Sequence, residues 1–127
     1  MENRSLQHRR ERLADALHDE LGAILEGELA DPRIGIVTVS EVALAADRRS
    51  ARILVQVQGD EREAKETLAG LNAATGFIRA LLVERLGLRR APELFFFVDH
   101  SAEIQGRVDQ LLGRIKKRKG GSGGEGR

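Results

Sequence analysis

Residues 64–88 read AKETLAGLNAATGFIRALLVERLGL, and how they fold decides the architecture. Ala64, Leu68, Leu71, Ile78, Leu82 and Leu86 recur at helical spacing, so one apolar stripe runs the length of the stretch. Gly76 interrupts it near the middle, within Ala74-Thr75-Gly76. A glycine inside a helix costs about 1 kcal/mol relative to alanine. It also lets another backbone come close and marks a place where a helix can bend. The stretch therefore predicts two helices joined at a kink. A single straight core helix with a tolerated glycine satisfies the same spacing.

On the N-terminal side, Leu6, Leu13, Leu17, Leu21, Ile24, Leu25 and Leu29 predict a helix from Ser5 to Leu29 with one buried stripe. Asp31-Pro32 stops it, because the residue before proline is pushed out of the α region. Residues 34–44 are rich in β-branched side chains and predict a strand. Residues 47–50 form a polar turn, and residues 51–58 alternate apolar with mostly polar side chains as a half-buried strand does. The two strands are close enough in sequence to form an antiparallel hairpin. On the C-terminal side, Ala91-Pro92 forces extended chain. Residues 94–98 predict a third strand, with Leu94, Phe96 and Val98 on one face and Phe95 and Phe97 on the other. Asp99 or Ser101 caps a last helix carrying Ile104, Val108, Leu111, Leu112 and Ile115. The sum is an α+β domain, with helices packed on a three-stranded sheet.

The chain has 127 residues, which suits one domain with one core. The domain is expected to span residues 1–119. From Lys116 onward the chain turns basic and then glycine-rich, and the sequence predicts a disordered Gly-rich tail at 120–127. There is no cysteine, which excludes a disulfide framework and a thiolate site. No apolar run approaches the roughly 20 residues that a membrane span needs, so a cytoplasmic protein is expected. Net charge is only +1. Its distribution is uneven. Residues 13–31 hold six acidic residues and no lysine or arginine, whereas Arg9, Arg10 and Arg12 precede them and Lys116, Lys117, Arg118 and Lys119 lie near the C-terminus.

Enzyme signatures are weak. Asp99-His100-Ser101 contains triad residue types, but sequence neighbours do not converge as nucleophile, base and orienter. His8, His18 and His100 have no partners at metal-ligand spacing, so neither a metal nor another cofactor is expected. Aromatics amount to four phenylalanines, which argues against a broad base-stacking sheet. Phe77 and Phe96 are expected in the core. Phe95 and Phe97 point to the opposite face, either under the last helix or partly exposed, and burial is the expectation.

Several pieces in one unbroken order resemble the ribosome-binding factor A family. They are Asp31-Pro32-Arg33, Gly35 with Val37-Thr38-Val39, Ala74-Thr75-Gly76-Phe77-Ile78-Arg79, Leu88-Arg89, Pro92-Glu93-Leu94 with Phe96, and Asp99 with Ser101. The resemblance implies a KH-like fold of the type II order α-β-β-α-α-β, with the Ala-x-Gly kink standing where classical KH domains carry a GxxG loop. It also implies a non-enzymatic factor that binds ribosomal RNA in the immature small subunit. Late maturation, including rRNA processing, growth in the cold, a monomeric state and release aided by assembly GTPases follow from the same resemblance.

Within that reading, Ala74, Thr75 and Gly76 let a phosphate approach a helix N-terminus, whose free N–H groups favour anions. Arg79, Arg85, Arg89 and Arg90 follow, and arginine's planar fork suits phosphate. Arg9, Arg10 and Arg12, with Lys116, Lys117, Arg118 and Lys119, complete the candidate RNA-binding set. Each arginine taken singly also fits a surface salt bridge. The rival reading is a protein–protein adaptor acting through the acidic first helix.

Overall fold

The computed structural model describes residues 4–27, 29 and 31–122, with side chains through Ile115. Its elements are α1 (Arg4–Gly27), β1 (Val37–Leu44), β2 (Ser50–Val57), α2 (Glu61–Ala73), α3 (Thr75–Leu86), β3 (Glu93–Val98) and α4 (Ser101–Ser122). The expected hairpin is present: β1 and β2 pair antiparallel, and β3 adds parallel to β2, giving the sheet order β1-β2-β3. The parallel pair requires a long crossover, and α2 with α3 provides it.

A phase break in β1 shapes the sheet. Val37 and Val39 are buried, and the next inward residues are Val42 and Leu44, so the alternation slips by one. A bulge between Val39 and Glu41 absorbs the slip, and the bulge residue Ser40 donates its hydroxyl to the Leu54 carbonyl at 3.1 Å. Without it, Val42 and Leu44 would turn outward. The inner face thus carries Val37, Val39, Ala51, Ile53, Val55, Leu94 and Phe96. Leu17, Leu21, Ile24 and Leu25 of α1, Leu71 of α2, and Ile78 and Leu82 of α3 close over it.

Capping explains where the helices start and stop. Asp60 and Glu63 form a reciprocal box at the start of α2: the Asp60 carboxylate accepts from Glu63 N at 2.8 Å, and Glu63 accepts from Asp60 N at 3.1 Å. α3 ends at Leu86, two residues before the expected Leu88, where Gly87 takes the left-handed region at φ 63°. Inside α2, Gly70 lets the segment after α1 lie flat on the helix. A Cβ there would sit 2.6 Å from Ile34 Cγ1. Beside it the buried Thr67 hydroxyl donates to Arg33 O and accepts from Gly35 N.

Four expectations are corrected. Leu6 is 45 % exposed rather than part of the buried stripe, because the first turns of α1 extend past the core. Phe77 is 52 % exposed, since the α3 stripe reaches the core through Ile78 and turns the preceding residue outward. Phe95 and Phe97 are each 47 % exposed, because α1, α2 and α3 contribute the core on the inner face and α4 does not cover the outer one. Finally, α4 continues past Ile115 to Ser122; Lys116, Lys117, Arg118 and Lys119 are good helix formers, while helix propensity does not explain the last turn through Gly120 and Gly121. Residues 123–127 of the expected tail lie outside the described residues.

Candidate nucleic-acid interface

The kink is present, but Thr75 rather than Gly76 accounts for it. Ala74 sits at φ −89°, ψ 1°, between the two helices. The Thr75 hydroxyl donates back to Leu71 O at 3.1 Å and Asn72 O at 2.9 Å. Such back-bonding occupies carbonyls of the last turn of α2 and bends a helix. Gly76 has no positive φ, and a Cβ added there would meet nothing within 4 Å. The glycine therefore leaves open space on the outside of the bend and relieves no contact within it.

The N-terminus of α3 faces that space. No side chain caps it, and its first turn holds no acidic residue. Its leading N–H groups and positive dipole end are thus unopposed by the protein's own carboxylates. Phe77, exposed one residue beyond Gly76, adds an aromatic surface beside this anion-attracting end. Sequence reasoning placed Phe77 in the core. Its offset of one residue from Ile78 was the signal that it points elsewhere.

The structure separates the candidate arginines into two groups. Arg79 is half-buried and donates to the carbonyls of Pro92 at 3.0 Å and Ala91 at 2.7 Å. It ties α3 to the chain entering β3, so it holds the kink's framework in place. Arg85 pairs with Glu20 at 3.1 Å, linking α3 to α1. That pair also takes one carboxylate out of the acidic stretch of α1. Arg89 and Arg90 are exposed in the bend after Gly87. Arg9 and Arg12 are exposed on the first half of α1, with Arg10 half-exposed between them. Lys116, Lys117, Arg118 and Lys119 lie on the backbone of α4, and their side chains fall outside the description. Among the described residues no cluster of three or more His, Cys, Asp or Glu could hold a metal ion.

Asp31-Pro32-Arg33 forms a local clamp. The Asp31 carboxylate accepts from Arg33 N at 2.9 Å and from its guanidinium at 3.1 and 2.7 Å. These hydrogen bonds, the side-chain one foremost, hold the Asp31 carboxyl below the ordinary carboxylate range. The clamp fixes the turn that lies on Thr67 and Gly70 of α2. Its task is to anchor α2 ahead of the kink.

Comparison with known proteins agrees with this geometry. The family model for ribosome-binding factor A matches residues 9–112. Ribosome-binding factor A of Koribacter versatilis is 59 % identical over 119 residues, covering 94 % of this chain and 97 % of its own length. The crystal structure of ribosome-binding factor A from Thermus thermophilus superposes with a TM-score of 0.63 at 28 % identity, over 70 % of this chain and 93 % of that one. A Thermus thermophilus homology model fitted into a cryo-EM map of a 30S complex with that factor matches at a TM-score of 0.53 and 31 % identity, over 74 % and 94 % of the two chains. The order α-β-β-α-α-β, the mixed sheet and the kinked helix pair are those of a KH-like α+β fold, and the chain belongs to the ribosome-binding factor A family.

Proposed function

We propose that this protein is a non-enzymatic assembly factor that binds ribosomal RNA in the immature small subunit and assists its late maturation, including rRNA processing. The observation that carries the reading is the kink. An uncapped helix N-terminus, an open glycine and an exposed phenylalanine meet at one bend in a chain of this family. The 30S complex of the Thermus relative supports the same partner. A phosphate of the RNA backbone sits against the first turn of α3, where N–H groups and the helix dipole favour it. Arg89 and Arg90, Arg9 and Arg12, and the basic end of α4 extend the contact electrostatically. Arg79 and Arg85 hold the helices that present it.

The factor works by binding one arrangement of the subunit RNA better than another and so shifting the population between them. It acts as a cytoplasmic monomer without cofactor, contributes to growth in the cold, and leaves with the help of assembly GTPases.

The test is binding to immature small subunits. Gly76→Leu starts from a position where an added Cβ meets nothing within 4 Å, so its melting temperature should hold or rise slightly while the longer side chain blocks the kink and subunit binding falls. Normal binding by this variant would remove the kink from the interface. A salt series sharpens the result. Each phosphate neutralised adds roughly 0.7–0.9 to the slope of log affinity against log salt. If all four cations at 116–119 engage, deleting residues 116–127 should flatten the slope by about 3. Equal slopes would make the basic end a solubilising extension.

A further inference from the structure

The outer face of the sheet is open, and its composition is not that of a surface awaiting an apolar cover. Phe95 and Phe97 lie on the edge strand β3, two residues and so roughly 6.6 Å apart. In the parallel register Arg52 stands opposite Phe95, and Leu54 opposite Phe97. Across the antiparallel pair Glu41 stands opposite Leu54, and Ala43 opposite Arg52. Glu41, Ala43, Arg52, Leu54 and Phe97 together line one shallow depression. Among the described residues neither the Arg52 nor the Glu41 side chain makes a hydrogen bond or an ion pair. An apolar helix laid over this face would desolvate both charges and itself offer a partner to neither, which is costly. A flat aromatic ligand with a polar rim would not.

We propose that this face is a second RNA contact, a platform on which two unpaired bases stack against Phe95 and Phe97, with a guanine preferred in the depression. The proposal rests on the RNA-binding reading above and deepens it. The kink takes backbone, and the sheet takes bases. Stacking on an exposed ring is open to every base. The two charges add the selectivity. Arginine pairs with guanine O6 and N7. Guanine is also the base whose neighbouring edge offers two parallel N–H donors, N1–H and the 2-amino group, to a carboxylate such as Glu41. Adenine offers no such pair. The face lies on the side of the sheet away from the core helices, so the contact is distinct from the arginines that brace α3.

The experiment uses full-length protein and two single-stranded RNA hexamers, AAAAAA and AAGAAA, read by NMR of the phenylalanine rings and by anisotropy of labelled RNA. Both hexamers should shift the Phe95 and Phe97 signals, and the guanine hexamer should bind more tightly. Phe97→Ala and Phe95→Ala should each weaken binding roughly 5- to 150-fold, the loss of one stacked base, with melting temperature unchanged. Glu41→Gln should reduce the guanine preference, with the Arg52 part remaining, and leave adenine binding intact. Hexamer binding of wild-type strength in both phenylalanine variants would overturn the proposal. So would ring contacts from Phe95 and Phe97 to Ile104 or Leu111, which would make α4 the occupant. Failure of wild-type protein to bind immature subunits would sink the assembly-factor reading instead, whatever the hexamers show.

Discussion

α3 and α4 carry the same kind of apolar stripe and meet opposite fates. Ile78 and Leu82 of α3 have no exposed surface, while Ile104, Val108, Leu111, Leu112 and Ile115 of α4 are 42–59 % exposed. Helical spacing fixes which residues share a face. What covers that face depends on chain connection. α3 is the return limb of a crossover between two parallel strands, and it must lie across the sheet to deliver the chain to β3. α4 follows β3 and lies outside that crossover. Its tie to the body is at its start, where Asp99 N donates to Val55 O at 2.7 Å and the Asp99 carboxylate accepts from the N–H and hydroxyl of Ser101.

The largest effect that tests this contrast is expected in α3. Leu82→Ala removes a fully buried side chain from the middle of the core and should cost roughly 2–5 kcal/mol, read as a lower denaturant midpoint at unchanged slope. A loss under about 1 kcal/mol would mean that α3 packs no better than α4. Next comes the helix that leads into α3. Gly70→Ala places a Cβ 2.6 Å from Ile34 Cγ1, in a segment whose backbone on either side of Ile34 is held by the Thr67 hydrogen bonds to Arg33 O and Gly35 N. Overpacking of this kind costs roughly 1–3 kcal/mol. Gly76→Ala, by contrast, should be neutral or stabilising. If the two alanine variants behaved alike, the assignment of Gly70 as packing and Gly76 as open would fail.

The sequence carried most of this architecture. The order of elements, the hairpin and the inward residues of the second and third strands follow from spacing and from Asp-Pro, Ala-Pro and Gly-Asp boundaries, while the same spacing left the kink and a straight helix both open. The bulge at Ser40 was legible as well, in the slip between Val39 and Val42, although periodicity read as one strand hides it. Two things were not legible. The cause of the kink lies in a hydroxyl–carbonyl contact of Thr75 that spacing does not encode. The openness of the outer sheet face depends on where α4 goes, and an apolar stripe on α4 pointed the other way. At the site, residue type proposed the arginines, and only three-dimensional partners separated Arg79 and Arg85, which brace helices, from Arg89 and Arg90, which face solvent.

Acid should act on the tie rather than on the core. Hydrogen bonds from the Ser101 hydroxyl foremost and the Ser101 N–H hold the Asp99 carboxyl below its ordinary range. A depressed carboxyl contributes stability that is fully present above the unfolded value near 3.8 and is lost as pH falls through the folded one. Asp31, held low by Arg33, contributes with the same sign. Helical signal should therefore stay level from neutral pH to about pH 5 and begin to fall below about pH 4. Asp99→Asn should shrink the part of the fall that belongs to α4. An identical acid profile in the variant would show that Asp99 does not hold the start of α4.

The smallest effect is expected on the exposed stripe itself. Leu111→Ala and Leu112→Ala remove side chains that are 55 % and 58 % exposed. Exposed substitutions of this kind stay within about 0.5 kcal/mol, and alanine's higher helix propensity works toward zero or a slight gain. The double variant should melt with wild-type protein, and the melting temperature should not depend on protein concentration. The outcome distinguishes three arrangements. If α4 packed against Phe95 and Phe97, the two truncations would together cost stability at every concentration, because buried apolar area would be lost. If α4 paired with a second copy, wild-type melting would rise with concentration and the variant's would not, since association stabilises by mass action. If α4 stands free, neither happens, and its stripe stays available to whatever the sheet face and the kink do not bind.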